Sequence, residues 1–250
     1  MQEASVGFQC PDCVATGQKA VRSVRTMAGG AVPAKAGQVS LVIIAINIVV
    51  FVLTDLARVD VISAAGVMSA YNVLDAGVVY PGVADGGYWR LLTSAFLHAG
   101  ILHIAFNMYA LYLFGPFVEQ ALGTRRFVVA YVTMAVVASV FVYWLSDPRG
   151  FTVGASGAVF GLFGLALVLL VHRKQDVRGL LVLLAINALI STQGNISWQG
   201  HLGGFVAGLV LGLAVTLPPR ERRTLVQAVV LAGVWLVVVA AVALRTVALV

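Results

Sequence analysis

The sequence predicts an all-α polytopic membrane protein, and three observations carry that prediction. Of its 250 residues, 60% are hydrophobic and 10% are charged, with a mean hydropathy of +0.98. A soluble domain carries roughly 25% charged residues, so this composition does not supply a water-facing surface. The apolar residues form runs long enough to cross about 30 Å of hydrocarbon, and the short alternating segments of a β-barrel are not evident.

Seven apolar segments are predicted to be membrane spans. The fifth is short and is interrupted by Asn187, which is typical of a tilted or mobile element. The segment before the first span is mostly polar, so no cleavable signal peptide is expected there. The predicted spans are 39–57, 101–118, 126–145, 154–172, 179–192, 200–217 and 224–244.

The distribution of basic residues predicts the orientation of these spans. Loops on the cytoplasmic side of a membrane protein carry an excess of Lys and Arg. Twelve of the 16 basic residues lie before span 1 or in every second loop after it, whereas the other loops carry most of the Asp residues. The N-terminus is therefore predicted to be cytoplasmic, and nucleic-acid binding is not expected from the net charge of +6. The twelve are Lys19, Arg22, Arg25, Lys35, Arg125, Arg126, Arg173, Lys174, Arg178, Arg220, Arg222 and Arg223.

Four polar residues are predicted to lie at similar depths near the outer face. Ser156 begins span 4 and His201 begins span 6, and both spans enter from outside. His103 and Asn107 lie in the first turns of span 2, four residues apart and so on one helix face. Because strongly polar groups are costly in a bilayer, each is a candidate functional residue.

Spans 4 and 6 are predicted to pack closely, since small residues spaced by four let two helix backbones approach. Gly204 and Gly208 share the helix face of His201, and span 4 offers Gly157 and Gly161. Close packing would bring the His201 imidazole to the Ser156 hydroxyl, as a general base must come to its nucleophile.

Acyl transfer is the chemistry that this group of residues predicts. The oxyanion formed by attack on an amide needs preorganised donors, which His103, Asn107 and the Ser156 backbone N–H would supply. Taken singly, a serine among glycines is more often a packing residue, and Asn107 alone could bridge two helices. A metal-dependent protease is disfavoured because HExxH is absent and because His98 and His103, five residues apart, would diverge on a helix.

At these residues the sequence resembles the rhomboid family of intramembrane serine proteases. The resemblance covers about 88–217, whereas the GxSxG elbow of α/β-hydrolases is not met because Ala158 replaces its second glycine. The motifs that carry it are YWR at 88–90, HAGILHIAFNM at 98–108, GPFVEQALG at 115–123, GASGAVFG at 154–161 and GHLGGFVAG at 200–208.

The resemblance implies a role for each matching residue. Ser156 would be the nucleophile and His201 the general base of a catalytic dyad, with Asn107, His103 and the Ser156 backbone forming the oxyanion hole. Trp89 and Arg90 would be the structural pair of the first outer loop. Further implied features are a buried stabilising carboxylate at Glu119, structural glycines at Gly157, Gly161, Gly204 and Gly208, a gate formed by span 5 and a cap at about 193–199.

The resemblance also implies a domain organisation. A cytoplasmic segment at 1–38 would precede a rhomboid protease core at 39–217, which contains six spans and a long outer loop at about 58–100. A basic linker and a seventh span would follow at 218–250. The CxxC of Cys10 and Cys13 resembles the tail of the Cys-rich zinc module of some bacterial rhomboids, but a tetrahedral zinc site needs four ligands, so no metal is expected unless two chains share one.

The expected function is that of an intramembrane serine endopeptidase in the plasma (inner) membrane, with its site opening toward the extracytoplasmic side. No cofactor is expected. The expected partners are transmembrane protein substrates, the lipid bilayer and a possible second copy of the chain. The alternatives are a non-catalytic rhomboid-like protein that binds transmembrane helices and, third, a transporter.

Overall fold

The computed structural model describes residues 2–3, 7–20, 24–57, 72–73, 79–191 and 196–250. Most of the predicted outer loop, at 58–71 and 74–78, lies outside the described residues, and so does 192–195, which holds part of the predicted cap.

The fold class predicted from the sequence is confirmed. The described residues form seven apolar helices, each within a few residues of a predicted span, and four of these (α4, α5, α8 and α9) are long and apolar enough to cross a membrane. The helices are α1 (Pro11–Ala20), α2 (Gln38–Ala57), α3 (Arg90–Thr93), α4 (Ile101–Leu122), α5 (Thr124–Leu145), α6 (Ser156–His172), α7 (Arg178–Ser191), α8 (Trp198–Thr216) and α9 (Arg223–Leu249), with a 3-10 turn at Ser94–Phe96.

Helix α1 and two short strand pairs were not predicted. Strands β1 (Gln2–Glu3) and β2 (Phe8–Gln9) pair antiparallel ahead of α1, and β3 (Asn72–Val73) pairs antiparallel with β4 (Val79–Tyr80) ahead of α3. Each ladder is two residues long, which is too short for the hydrophobic periodicity of the sequence to reveal.

Helices α5, α6 and α8 form the centre of the bundle. Most residues of α6 are buried, and glycines lie at its closest contacts with α8. Helix α9 lies at the edge, where 11% of its most apolar stretch is buried. Polar side chains join α9 to α5 at three levels along the two helices. Arg126 Nε donates to Gln227 Oε1 at 3.1 Å, and Trp235 Nε1 donates to Thr133 Oγ1 at 3.2 Å. The hydroxyls of Tyr143 and Thr246 lie 2.9 Å apart.

The end of the bundle away from Ser156 is covered by residues 24–37, here called the strap. Ala28 N donates to Ala121 O at 3.0 Å and Gln227 Nε2 donates to Ala28 O at 3.2 Å, so the strap joins α4 to α9. Arg223 donates to Met27 O at the same end. These contacts place three of the predicted cytoplasmic segments together: the N-terminal segment, the α4–α5 turn and the start of α9.

Candidate active site

Ser156 is the first residue of α6 and is half-buried. Gly154 precedes it with a φ of 129°, a conformation that favours glycine. A Cβ at Gly154 would lie 2.6 Å from His103 Nε2 and 3.7 Å from Ser156 Oγ. The backbone of Gly154 therefore lies beside both side chains, and glycine is the residue that leaves room for the imidazole.

His201 lies in the first turn of α8 and is 8% exposed. Its ring stacks on Phe160, with the ring centroids 3.9 Å apart and the planes inclined by 7°. Phe160 stands four residues after Ser156 and so on the same face of α6. The helix that begins with Ser156 thus also carries the aromatic ring that supports His201.

The backbones next to Ser156 and His201 are in contact. A Cβ at Gly157 would lie 3.4 Å from Gly200 O. Among the hydrogen bonds of the described residues, none joins Ser156 Oγ to His201; the ring contacts Ser191 Oγ through Nδ1 at 3.1 Å instead. The backbones beside the two residues therefore touch, and the Ser156 hydroxyl and the His201 imidazole are not hydrogen bonded to each other.

The contact between α6 and α8 is made by glycine backbones. A Cβ at Gly204 would lie 1.8 Å from Gly157 O, and a Cβ at Gly208 would lie 1.9 Å from Gly161 O. Real Cβ atoms do not approach oxygen so closely, so each position accommodates hydrogen alone. The sequence pattern that predicts close packing of these two helices corresponds to this contact.

Helix α4 contributes two of the predicted site residues, His103 and Asn107. Asn107 is buried, and its Nδ2 donates to His103 O at 2.9 Å. The His103 ring accepts the Ala99 N–H at Nδ1, at 3.5 Å. A neutral His103 ring with this partner carries its proton on Nε2, the nitrogen next to Gly154.

The prediction that His98 and His103 would diverge is wrong. Helix α4 begins at Ile101, so His98 belongs to the preceding loop and helical spacing does not apply to it. The two ring centroids lie 5.1 Å apart, edge to face. Burial, and secondarily the neighbouring His103, lowers the pKa of His98 to about 4, so His98 is neutral at physiological pH.

A small cavity adjoins Ser156. Its walls come from the loop before α6, from α5, from the 3-10 turn and from the start of α8. Ser94 Oγ and Ser139 Oγ lie 3.4 Å apart on these walls. Small side chains dominate the lining, which includes Ser94, Ala95, Ala135, Ala138, Ser139, Val142, Gly154, Gly157, Ser197 and Gly200.

The remaining predicted site residues lie outside the cavity. Arg90 is fully buried and its Nε donates to Pro81 O at 2.7 Å, whereas Trp89 is 51% exposed. Glu119 is fully buried at the strap end, where its carboxylate accepts the N–H groups of Gly37 at 3.0 Å and Val39 at 3.4 Å. Glu119 therefore satisfies two backbone donors at the start of α2.

Ser197, in the described part of the predicted cap, lines the cavity next to Ser156. Ser197 is the N-cap of α8, and its hydroxyl accepts the Gly200 N–H at 3.3 Å. This bond fixes the first turn of the helix that carries His201. Trp198 is 49% exposed.

Within the part of the chain that the structure describes, no group of three or more His, Cys, Asp or Glu side chains is arranged to hold a metal ion. Cys10 and Cys13 are both exposed. A backbone hydrogen bond from Cys13, followed by one from Asp12, lowers the pKa of the Cys10 thiol.

Phe160 and Ser191 contact His201 but were not identified from the sequence. For Phe160 a signal was available, because its spacing of four from Ser156 places both residues on the same helix face. For Ser191 no signal was available, since the contact depends on how the end of α7 meets α8.

The fold and this cluster of residues define a multi-pass membrane protein with a serine and two histidines gathered at one end of the helix bundle. A sequence model of the family described as Rhomboid domain matches residues 85–218. The chain belongs to the rhomboid family.

Three relatives illustrate the similarity. The chain is 32% identical over 188 residues to the putative rhomboid protease YdcA of Bacillus subtilis, which covers 72% of this chain and 89% of YdcA. It is 37% identical over 142 residues to the rhomboid protease GluP of Bacillus subtilis, covering 54% of this chain and 28% of GluP. It is 25% identical over 180 residues to the rhomboid protease AarA of Providencia stuartii, covering 60% of this chain and 64% of AarA.

Proposed function

We propose that this chain is an intramembrane serine endopeptidase that hydrolyses peptide bonds in or near the transmembrane segments of other membrane proteins. The observation that carries the proposal is the meeting of three helices around Gly154 and Phe160. Ser156 and His103 lie beside Gly154, and His201 stacks on Phe160. The protease names of its relatives add support.

In this proposal Ser156 Oγ attacks the scissile carbonyl carbon while its proton passes to His201. The resulting oxyanion accepts hydrogen bonds from the Ser156 backbone N–H, from His103 and from Asn107. Collapse of the tetrahedral intermediate breaks the C–N bond, and the proton on His201 passes to the leaving amine. Water then attacks the acyl-enzyme with His201 again as base, which releases the second fragment and restores Ser156.

Asn107 can take this role without giving up its present partner, although its amide already donates to His103 O within α4. The amide nitrogen has two hydrogens, so one remains for an oxyanion while the helix bond is kept. The small side chains around the cavity next to Ser156 favour a substrate with a small residue at the cleavage site.

The proposed orientation follows from charge. The strap, the α4–α5 turn and the start of α9 meet at one end of the bundle and carry a large share of the basic residues. By the positive-inside rule this end faces the cytoplasm, and Ser156 then opens toward the outer side of the plasma (inner) membrane.

Purified protein in detergent, incubated with a transmembrane substrate, tests the proposal. Cleavage is expected in the unmodified protein and is expected to fall by at least about 10³-fold in Ser156→Ala and His201→Gln. A fluorophosphonate should label Ser156 in the unmodified protein but not in either variant.

Two matched controls keep this result specific. Ser40→Ala removes a buried serine hydroxyl near Gly115, and His172→Gln removes an exposed imidazole at the end of α6. Both lie at the strap end, so both should retain activity within about twofold. Cleavage that survives Ser156→Ala would contradict the proposal, and a folded protein that binds transmembrane helices without cleaving them would favour the non-catalytic alternative.

A further inference from the structure

Ser191 joins α7 to the imidazole of His201. It is the last residue of α7, and its hydroxyl lies 3.1 Å from His201 Nδ1. Leu180 and Ser191 are the two buried residues of this helix, whereas most of its other side chains are exposed. Helix α7 is thus buried at its two ends, with Leu183 and Leu184 partly buried against the core between them, and at the site end Ser191 contacts the ring of His201.

The hydrogen-bond partners of Ser191 determine which way this bond runs. The Ser191 hydroxyl donates to Asn187 O at 2.7 Å, one turn back in α7. A serine hydroxyl has a single proton, so at His201 the same oxygen must accept. His201 therefore carries a proton on Nδ1, and in the neutral ring Nε2 is left as the acceptor.

This tautomer is the one that a general base next to Ser156 requires. In serine hydrolases a third group accepts a hydrogen bond from one ring nitrogen and leaves the other to take the nucleophile's proton. The same bond, together with the stack on Phe160, fixes the rotation of the ring. Ser191 also gives the imidazolium that forms during the reaction an oxygen to donate to, without placing a charge in the membrane.

We propose that Ser191 is a positioning residue that selects the Nδ1–H tautomer of His201 and holds its ring in the orientation needed to accept the Ser156 proton. This inference rests on the proposed function. It also makes the orientation of the base depend on α7, because displacement of the site end of α7 removes the hydroxyl from the ring.

Kinetics of Ser191→Ala against Ser191→Thr separate positioning from simple helix packing. Loss of the hydroxyl leaves a buried N–H without its partner, so Ser191→Ala should lower kcat about tenfold, the effect of losing one such hydrogen bond in the transition state. KM should stay within about twofold because Ser191 does not touch the substrate. Ser191→Thr keeps a hydroxyl and should recover most of the lost rate.

Thr216→Val is the matched control. It removes a buried hydroxyl from the other end of α8, where Thr216 Oγ1 donates to Gly212 O at 3.0 Å. If lost helix packing were the cause of a slow Ser191→Ala enzyme, Thr216→Val should be slowed as well. It is expected to keep kcat within about twofold.

The tautomer gives a readout that does not depend on cleavage. Nitrogen NMR of ring-labelled histidine in lipid nanodiscs, near pH 8, distinguishes Nδ1–H from Nε2–H, and the His201→Gln spectrum identifies the His201 signal. We expect Nδ1–H in the unmodified protein and in Ser191→Thr. In Ser191→Ala we expect a mixture of tautomers.

The outcomes distinguish this inference from the proposed function. A His201 proton on Nε2 in the unmodified protein, or a Ser191→Ala enzyme with unchanged kcat, would overturn the role of Ser191 while leaving the protease in place. If the unmodified protein neither cleaves nor reacts with a fluorophosphonate at Ser156, the protease fails and the catalytic role of Ser191 fails with it. The tautomer measurement would in that case still report on the bond itself.

Discussion

Helices α6 and α7 are consecutive in the chain but are held in the bundle in different ways. Helix α6 is buried along most of its length, and two of its carbonyls lie against glycines of α8 where hydrogen alone fits. Helix α7 has two buried residues, Leu180 and Ser191. The proposed nucleophile, Ser156, thus belongs to the most constrained part of the fold, whereas Ser191, which contacts the proposed base, belongs to one of the least constrained.

This difference separates two requirements of the proposed catalysis. The positions of Ser156 and His201 depend on backbone contacts that leave no freedom for adjustment. The orientation of the His201 ring rests on its stack with Phe160 and, in our proposal, on Ser191, a side chain from a helix with few buried residues. Disrupting the α6–α8 contact should therefore have the largest effect on activity and stability. Changing an exposed residue of α7 should have the smallest.

The largest effect is expected for Gly204→Val or Gly208→Val. A side chain at either position meets a carbonyl oxygen less than 2 Å from its Cβ, so the helices must separate. Overpacking of this kind costs about 3 kcal/mol or more, and we expect loss of both cleavage and folded protein. Thermal unfolding in detergent and a cleavage assay measure the two losses.

Gly233→Ala is the control for these variants. Gly233 lies within α9, and a Cβ there would meet nothing within 4 Å. The free energy of unfolding of Gly233→Ala should differ from that of the unmodified protein by no more than about 1 kcal/mol. If Gly204→Val kept full activity, close packing of α6 and α8 would not be what brings the base to the nucleophile.

The next largest effect is expected for Gly154→Ala, and it should fall on activity more than on stability. The new methyl group would lie 2.6 Å from His103 Nε2, in a backbone conformation with a φ of 129° that L-residues rarely adopt. Displacing one oxyanion donor costs about 10²-fold in kcat. Cleavage kinetics and an unfolding curve should show a large loss of kcat with a small loss of stability. A loss of activity that only matches the loss of folded protein would contradict this prediction.

A smaller effect is expected for Leu180→Ala, which removes the buried side chain at the other end of α7. The packing free energy lost should be about 2 kcal/mol, and the destabilisation should be confined to α7. Hydrogen exchange or limited proteolysis is expected to report faster opening of α7, with α6 unchanged. Equal acceleration in both helices would show that α7 is an integral part of the rigid core.

The smallest effect is expected for Leu181→Ala, the neighbour of Leu180. Leu181 is 47% exposed, and loss of an exposed side chain usually changes stability by less than about 0.5 kcal/mol. The ratio of opening rates between these two variants measures how far the attachment of α7 depends on its buried end. If Leu181→Ala opened α7 as much as Leu180→Ala, the buried leucine would not be what attaches this helix to the bundle.

Much of the fold could be predicted from the sequence because each span must be apolar along its whole length. The seven runs indicated helices whose ends agree with the structure to within a few residues. The glycine spacing in span 6 also indicated a close neighbour, since small residues at every fourth position have few other uses in a membrane helix. Both signals are local in sequence.

What could not be predicted depends on contacts between distant segments. The Ser191–His201 bond needs the end of α7 to meet the start of α8, and no periodicity encodes that meeting. His98 was placed on a helix that in fact begins at Ile101, so its contact with His103 was missed. The roles of Ser156, His201, His103, Asn107 and the other site residues stay predictions until the variants above are measured.

The contacts of the strap have a consequence for the order in which the chain can reach its final structure during synthesis. The Gly37 N–H at the start of α2 finds its acceptor in Glu119, which the ribosome adds after α2 has been completed. Met27 O and Ala28 O find donors in Arg223 and Gln227, at the start of α9. The strap therefore acquires these bonds only after α9 has begun to be translated, almost 200 residues later in the chain.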